Sequence, residues 1–110
     1  FWDGKFLDLT PAYDVAPQPR GSREANQALN IVPGHRRSLL VTCLEAASAF
    51  LMSREVAREE IEHLIEAVRK HWSEACDAVD LSAADRTFFA GRQFLNGYAF
   101  EGYGMVPELD

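Results

Sequence analysis

Residues 53–79, S-R-E-V-A-R-E-E-I-E-H-L-I-E-A-V-R-K-H-W-S-E-A-C-D-A-V, decide the fold class. Within them Ala57, Ile61, Leu64, Ile65, Val68, Trp72, Ala75, Cys76 and Val79 recur at spacings of three and four, the period of an amphipathic helix. At 1.5 Å per residue, a helix from Arg54 to Val79 measures roughly 39 Å, enough to cross a small domain as its spine. The spacing predicts that Ile61, Leu64, Ile65, Val68 and Trp72 are buried together. The other face pairs Arg58 with Glu62 and Glu66 with Lys70 at four-residue spacing, each pair worth about 0.2–0.5 kcal/mol, and reads as solvated.

Upstream of this helix, Thr42-Cys43-Leu44-Glu45 has the form of a capping box, which predicts a first helix running to about Leu51. Downstream, Ser82-Ala83-Ala84-Asp85 predicts a cap for a third helix carrying Phe88, Phe89 and Leu95 and ending at Asn96-Gly97. Tyr98, Phe100 and Tyr103 are expected to anchor the tail across the helices before it frays near Pro107.

The amino-terminal part has a different period. Lys5-Phe6-Leu7-Asp8-Leu9 alternates as a strand does, with Leu7 and Leu9 on one face, and Pro11 ends it. Asp3-Gly4 predicts a type I′ turn, with Phe1 and Trp2 the remnant of a preceding strand, so the chain is expected to be cut from something longer. From Val15 to about Asn26, Pro17, Pro19, Gly21 and Ser22 break any period and predict a surface loop. Ala28-Leu29-Asn30-Ile31 reads as a short strand, Val32-Pro33-Gly34-His35 as a type II turn, and Arg36-Arg37-Ser38-Leu39 as the returning strand. The expected architecture is mainly α (α+β), one segment over 1–110 with a strand and loop portion at 1–40 and a helical portion at 41–104.

Composition narrows the function. With 110 residues, 47% apolar and 25% charged, the chain suits a single core. A formal charge of −6 argues against nucleic-acid binding by overall field, because phosphate neutralisation needs clustered Lys and Arg. No run approaches the roughly 20 apolar residues that span a bilayer, and no leader pattern opens the chain, which points to the cytoplasm and away from a membrane. Cys43 and Cys76 lack metal-ligand or redox spacing and read as reduced core residues.

The order of the strand, Thr10-Pro11-Ala12-Tyr13-Asp14, the proline loop, the Arg36-Arg37 turn and the helices with Trp72 resembles the C-terminal portion of the HipA family of serine/threonine kinase toxins. The resemblance covers nearly the whole chain. It implies a helical kinase C-lobe, with Pro11-Ala12-Tyr13-Asp14 matching the segment whose Asp binds magnesium beside the nucleotide. Asp14 is then a Mg²⁺ ligand and Tyr13 a nucleotide contact in an intact ATP-dependent parent of a type II toxin-antitoxin system. The family's lysine, catalytic Asp and magnesium-binding Asn precede this segment and match nothing here. No catalytic residue is therefore assigned, and this chain alone is expected neither to hold Mg²⁺ or ATP tightly nor to transfer phosphate. The implied partners are the upstream kinase lobe and a helix-turn-helix antitoxin. No DNA contact is carried over, since the helix from Thr42 to Leu51 has no Lys or Arg.

Each of these residues also has a plainer reading. Asp14 after a proline turn serves as a turn acceptor or cap, and Tyr13 as a core anchor. His35, His63 and His71 are dispersed surface residues, Arg36 and Arg37 solvated ones, and Trp72 belongs to the apolar stripe. A helical interaction module, binding an antitoxin or a second copy of itself, is the alternative function. An exposed apolar patch beside Phe6 and Leu7 is expected if the upstream lobe is missing.

Overall fold

The computed structural model describes residues 1–14 and 24–109, so most of the expected proline loop, residues 15–23, lies outside the described residues. The architecture is mainly helical: α1 (Leu40–Ala46), α2 (Arg54–Ala78) and α3 (Ala83–Phe89), with 3₁₀ segments at Ala47–Phe50 and Gly97–Phe100.

Helix α2 forms as its period predicts. Ser53 caps it, its side chain accepting the Val56 amide at 3.2 Å, and at the far end Asp80 turns left-handed while the Leu81 amide returns to the Cys76 carbonyl. The buried stripe is narrower than the sequence suggests. Ala57, Ile65, Trp72 and Cys76 are buried and Ile61 and Val68 half-buried, but Leu64 is 67% exposed and Val79 69% exposed. The expected burial of Leu64 is thus corrected, because the elements packed on α2 cover a strip centred on Ile65 and Trp72, and Leu64 lies about 100° round the helix from Ile65.

The capping box at Thr42 is also corrected. Helix α1 starts two residues earlier, with extended Leu39 as an uncapped N-cap, and Thr42 is buried inside the helix. The first helix tightens into its 3₁₀ segment and stops at Leu51, which takes a left-handed φ of 58° and is 97% exposed. There the Leu51 and Met52 amides reach back to the Ser48 and Ala47 carbonyls at 3.1 Å each. Ser82 caps α3, accepting the Asp85 amide and donating its hydroxyl to the Asp85 carboxylate at 2.6 Å. Helix α3 ends at Phe89, well before Asn96, because Gly91 already takes a left-handed φ of 70°. Asn96 instead caps the second 3₁₀ segment, accepting the Tyr98 amide.

Tyr98 and Phe100 on that segment are buried, as tail anchors should be. The segment packs on α1, which packs on α2, and Leu44, Ala47 and Ala57 form the centre of the core with Met52, Ile61 and Tyr103 against it. Further along α2, Trp72 meets Phe94 with ring centroids 5.0 Å apart, and the Arg86–Asp77 pair ties α3 to α2. The tail does not fray at Pro107, since Arg69 holds the Glu108 carbonyl at 3.2 Å. Cys76 is a buried free thiol, whereas Cys43 is exposed, correcting its placement in the core.

Among the described residues no β-strand forms, only isolated bridges. Trp2 bridges Leu7, and the turn between them is not type I′: Gly4 alone has positive φ, while the Asp3 carboxylate accepts the Lys5 and Phe6 amides at 2.7 Å each. The expected strand at Ala28–Ile31 bulges out between the Asn26–Arg37 and Val32–His35 bridges. The type II turn is present, with Gly34 at φ 78° and the His35 amide donating to the Val32 carbonyl at 2.9 Å. A hairpin with no neighbouring strand has nothing to extend its ladder, and these two remain bridges.

The molecule is drawn out, 49 × 33 × 26 Å with a radius of gyration of 16.0 Å, against about 13 Å for a compact chain of this length. Its accessible surface is 8687 Å², where a folded monomer of this mass exposes about 6,100 Å².

Candidate functional site

Two regions bear on function: the turn that the resemblance singles out, and a cleft that the sequence does not announce. Residues 1–14 are all exposed. The apolar patch expected beside Phe6 and Leu7 is there, with Phe6 68%, Leu7 81% and Leu9 99% exposed. Tyr13 is 81% exposed, so it is not a core anchor in this chain. Asp14 is exposed and takes a left-handed φ of 56°, a conformation that Asp tolerates better than most residues. The structure therefore presents Tyr13 and Asp14 side by side on an open turn. No cluster of three His, Cys, Asp or Glu residues able to hold a metal exists among the described residues. His35, His63 and His71 are exposed and apart, and His71 reaches only Glu74, at 3.5 Å. Arg36 and Arg37 are exposed on the second hairpin.

The cleft lies between α2 and the tail and encloses about 340 Å³. Ile65 and Phe100, both buried, lie at its floor, and Arg58, Glu62, Glu66 and Arg69 along its helical wall make its accessible surface mostly polar. Tyr103 forms part of the other wall and donates its hydroxyl to Glu62 at 2.6 Å. Arg58 lies over the Tyr103 ring, 4.8 Å from its centroid, and Arg69 pairs with Glu66 at 2.9 Å. Burial, and then the hydrogen bond to the Glu62 carboxylate, push the Tyr103 hydroxyl up to about 12, because both disfavour a second negative charge there.

These contacts replace the expected Arg58–Glu62 and Glu66–Lys70 pairs. The tail, by docking on this side of α2, draws Glu62 to Tyr103 and Arg69 to Glu66 and Glu108. In the sequence Arg58, Glu62 and Glu66 read with Lys70 as a solvated face, and only the recurrence of charge at positions 58, 62, 66 and 69 marks this helix edge.

No family model, curated protein or solved structure matches this sequence. Among the described residues, no helix is long and apolar enough to cross a membrane.

Proposed function

We propose that this chain is the helical C-terminal part of a HipA-like serine/threonine kinase toxin, in which residues 1–14 pack on the lobe that completes the active site. The observation that carries the reading is the exposure of Pro11-Ala12-Tyr13-Asp14 at the end of an equally exposed apolar arm. Phe6, Leu7 and Leu9, exposed together beside this turn, form the kind of apolar patch that a segment seated against another lobe would cover. Asp14 is a hard oxygen ligand of the kind that suits Mg²⁺, an ion that keeps several waters and takes the rest of its shell from few carboxylates and from phosphates. Bound there with ATP, the metal would neutralise phosphate charge during transfer, and Tyr13 would flank the nucleotide. What this chain supplies is the position of one carboxylate and one aromatic ring. A helix-turn-helix antitoxin is the partner class the resemblance implies, and a bacterial cytoplasm the setting.

The test uses the longer protein in which this segment continues from its upstream coding sequence. Asp14→Asn there should abolish most transfer of radiolabelled phosphate from ATP while leaving the melting temperature nearly unchanged. Full activity in that variant would end the metal-ligand reading, and transfer by the 110-residue chain alone would put the active site elsewhere.

A second reading, a helical interaction module that binds an antitoxin or a second copy without catalysis, is favoured by the surface excess. The excess is about 2,600 Å² on this one chain, against about 800 Å² per partner in an interface of standard size. Sedimentation of the 110-residue chain distinguishes self-association from a requirement for another partner.

A further inference from the structure

The hairpin at the amino end has one edge whose backbone is unpaired and one face lined by apolar side chains. The Phe1 nitrogen donates to the Asp8 carbonyl at 3.0 Å, the Asp8 amide to the Phe1 carbonyl at 2.9 Å, and the Asp3 amide to the Phe6 carbonyl at 3.3 Å. Trp2 and Leu7 lie opposite each other between those pairs. In an antiparallel ladder, residues so placed turn their N–H and C=O away from the partner strand. Leu7, and by the same alternation Leu9, therefore point their main-chain groups to the outer edge, where neither finds a hydrogen-bond partner among the described residues. The pleat also sorts the side chains: Trp2, Leu7 and Leu9 share one face, and Phe1, Asp3, Phe6 and Asp8 the other.

Two strands without a third are marginal in water. The surface left uncovered is enough for a modest contact. Phe1, Trp2 and Phe6 are 59–73% exposed and Leu7 and Leu9 more so; at about 150–250 Å² for a fully covered aromatic ring and about 60–120 Å² for a leucine, the hairpin still offers about 400–700 Å². Each partner in a weak, specific interface contributes less than about 600 Å², and in one of standard size about 800 Å².

Symmetry and charge choose the occupant. An edge joined to its own copy about a two-fold axis is antiparallel, with Leu7 facing Leu7, and the apolar faces of the two hairpins run into one another. Centring on Asp8 instead would set two carboxylates directly opposite, which is disfavoured. A lipid surface suits the hairpin less well, because residues 1–14 carry Asp3, Asp8 and Asp14 against Lys5 alone and anionic headgroups repel them.

We propose that two copies of this chain join along the Leu7–Leu9 edge, antiparallel about a two-fold axis at Leu7, into a four-stranded sheet, a step that rests on the self-association reading and makes no use of Asp14. One face of that sheet carries Trp2, Leu7 and Leu9 of both copies. A lobe seated on residues 1–14 would take the same edge, so the two contacts exclude each other.

Sedimentation equilibrium of the 110-residue chain from about 10 µM to 1 mM, at low and high salt, measures the association. A monomer–dimer equilibrium in the upper micromolar range is expected. Added salt should strengthen it, because each copy carries a formal charge of −6 and screening relieves their repulsion. Leu7→Pro removes the outward N–H and spares the Phe1–Asp8 and Asp3–Phe6 bonds, while Leu7→Lys keeps the backbone and sets like charges together at the axis. Each variant should weaken the dimer at least about tenfold with the helical circular dichroism unchanged. A chain that stays monomeric to about 1 mM would overturn the proposal together with self-association and assign the edge to a different partner. A dimer that either variant leaves intact, or that salt dissolves, would overturn this edge and leave self-association through another surface.

Discussion

Neighbouring residues on α2 give the sharpest check of the packing. Ile65 is 9% exposed and lines the cleft floor, whereas Leu64 is 67% exposed. Ile65→Ala deletes buried carbons and leaves a cavity between α2 and the tail, which costs about 2–5 kcal/mol. For Leu64→Ala only about a third of the side chain leaves contact. Full burial of a Leu is worth about 1.5–3 kcal/mol, so the loss is about 0.5–1 kcal/mol, and alanine's slightly better helix propensity offsets part of it. At about 4–8 °C per kcal/mol for a chain of this size, Leu64→Ala should lower the melting temperature by a few degrees and Ile65→Ala by about 10 °C or more. Thermal unfolding followed by far-ultraviolet circular dichroism and by tryptophan fluorescence measures both. Equal losses for the two variants would refute the narrow stripe and restore the wide apolar face that the sequence alone suggests.

Relief of backbone strain makes a second test. Leu51 sits left-handed with its side chain in solvent, so Leu51→Gly removes a cost of about 1–2 kcal/mol against a glycine entropy penalty of about 0.5–1 kcal/mol, and a net gain of about 0.5–1 kcal/mol is expected by denaturant melting. Loss of stability in that variant would show that Leu51 is not left-handed. The two serine caps should each cost about 1 kcal/mol on replacement, so Ser53→Ala and Ser82→Ala are predicted to lower stability additively. The Tyr103 hydroxyl gives a pH signature. Its folded value, raised to about 12, lies above its ordinary value of 10, so its contribution to stability is complete below pH 10 and is lost as pH rises through 12. Absorbance at the tyrosinate band should show a late step that Tyr103→Phe removes, and that variant should lose about 0.5–1.5 kcal/mol at neutral pH.

What the sequence made legible is local in origin. Helix α2, the Ser82 cap and the type II turn at Val32–His35 all follow from spacings of a few residues, and all are present. The misses share a different cause. Thr42-x-x-Glu45 satisfies the capping pattern, yet the helix could begin earlier because Thr42 finds burial inside it, a tertiary matter. Leu64 belongs to the apolar period but has no element packed over it, and a period cannot say how wide the covering layer is. The strands expected at Lys5–Leu9 and Ala28–Ile31 find, among the described residues, only isolated bridges beside them rather than a sheet. The cleft escaped notice because its charges look like a helix exterior until the tail, with Tyr103 and Glu108, lies beside them. Pro11-Ala12-Tyr13-Asp14 was conspicuous in the sequence and is conspicuous in the structure as an open turn, and its chemistry rests on the resemblance.

The drawn-out shape has a calorimetric consequence. An unfolded chain of 12.3 kDa exposes about 17,800 Å², so with 8687 Å² still exposed when folded it covers about 9,100 Å², roughly three quarters of the 11,700 Å² that a compact chain of this mass would. Heat capacity and denaturant sensitivity both scale with the surface uncovered on unfolding. Unfolding should therefore raise the heat capacity by about 1.0–1.2 kcal/mol/K rather than about 1.3–1.6, giving a shallow urea transition and a flat stability curve. A partner that covers residues 1–14 adds its buried area to the same cooperative unit, so docking should be visible as a steeper urea transition and a more sharply curved temperature dependence than the 110-residue chain shows alone.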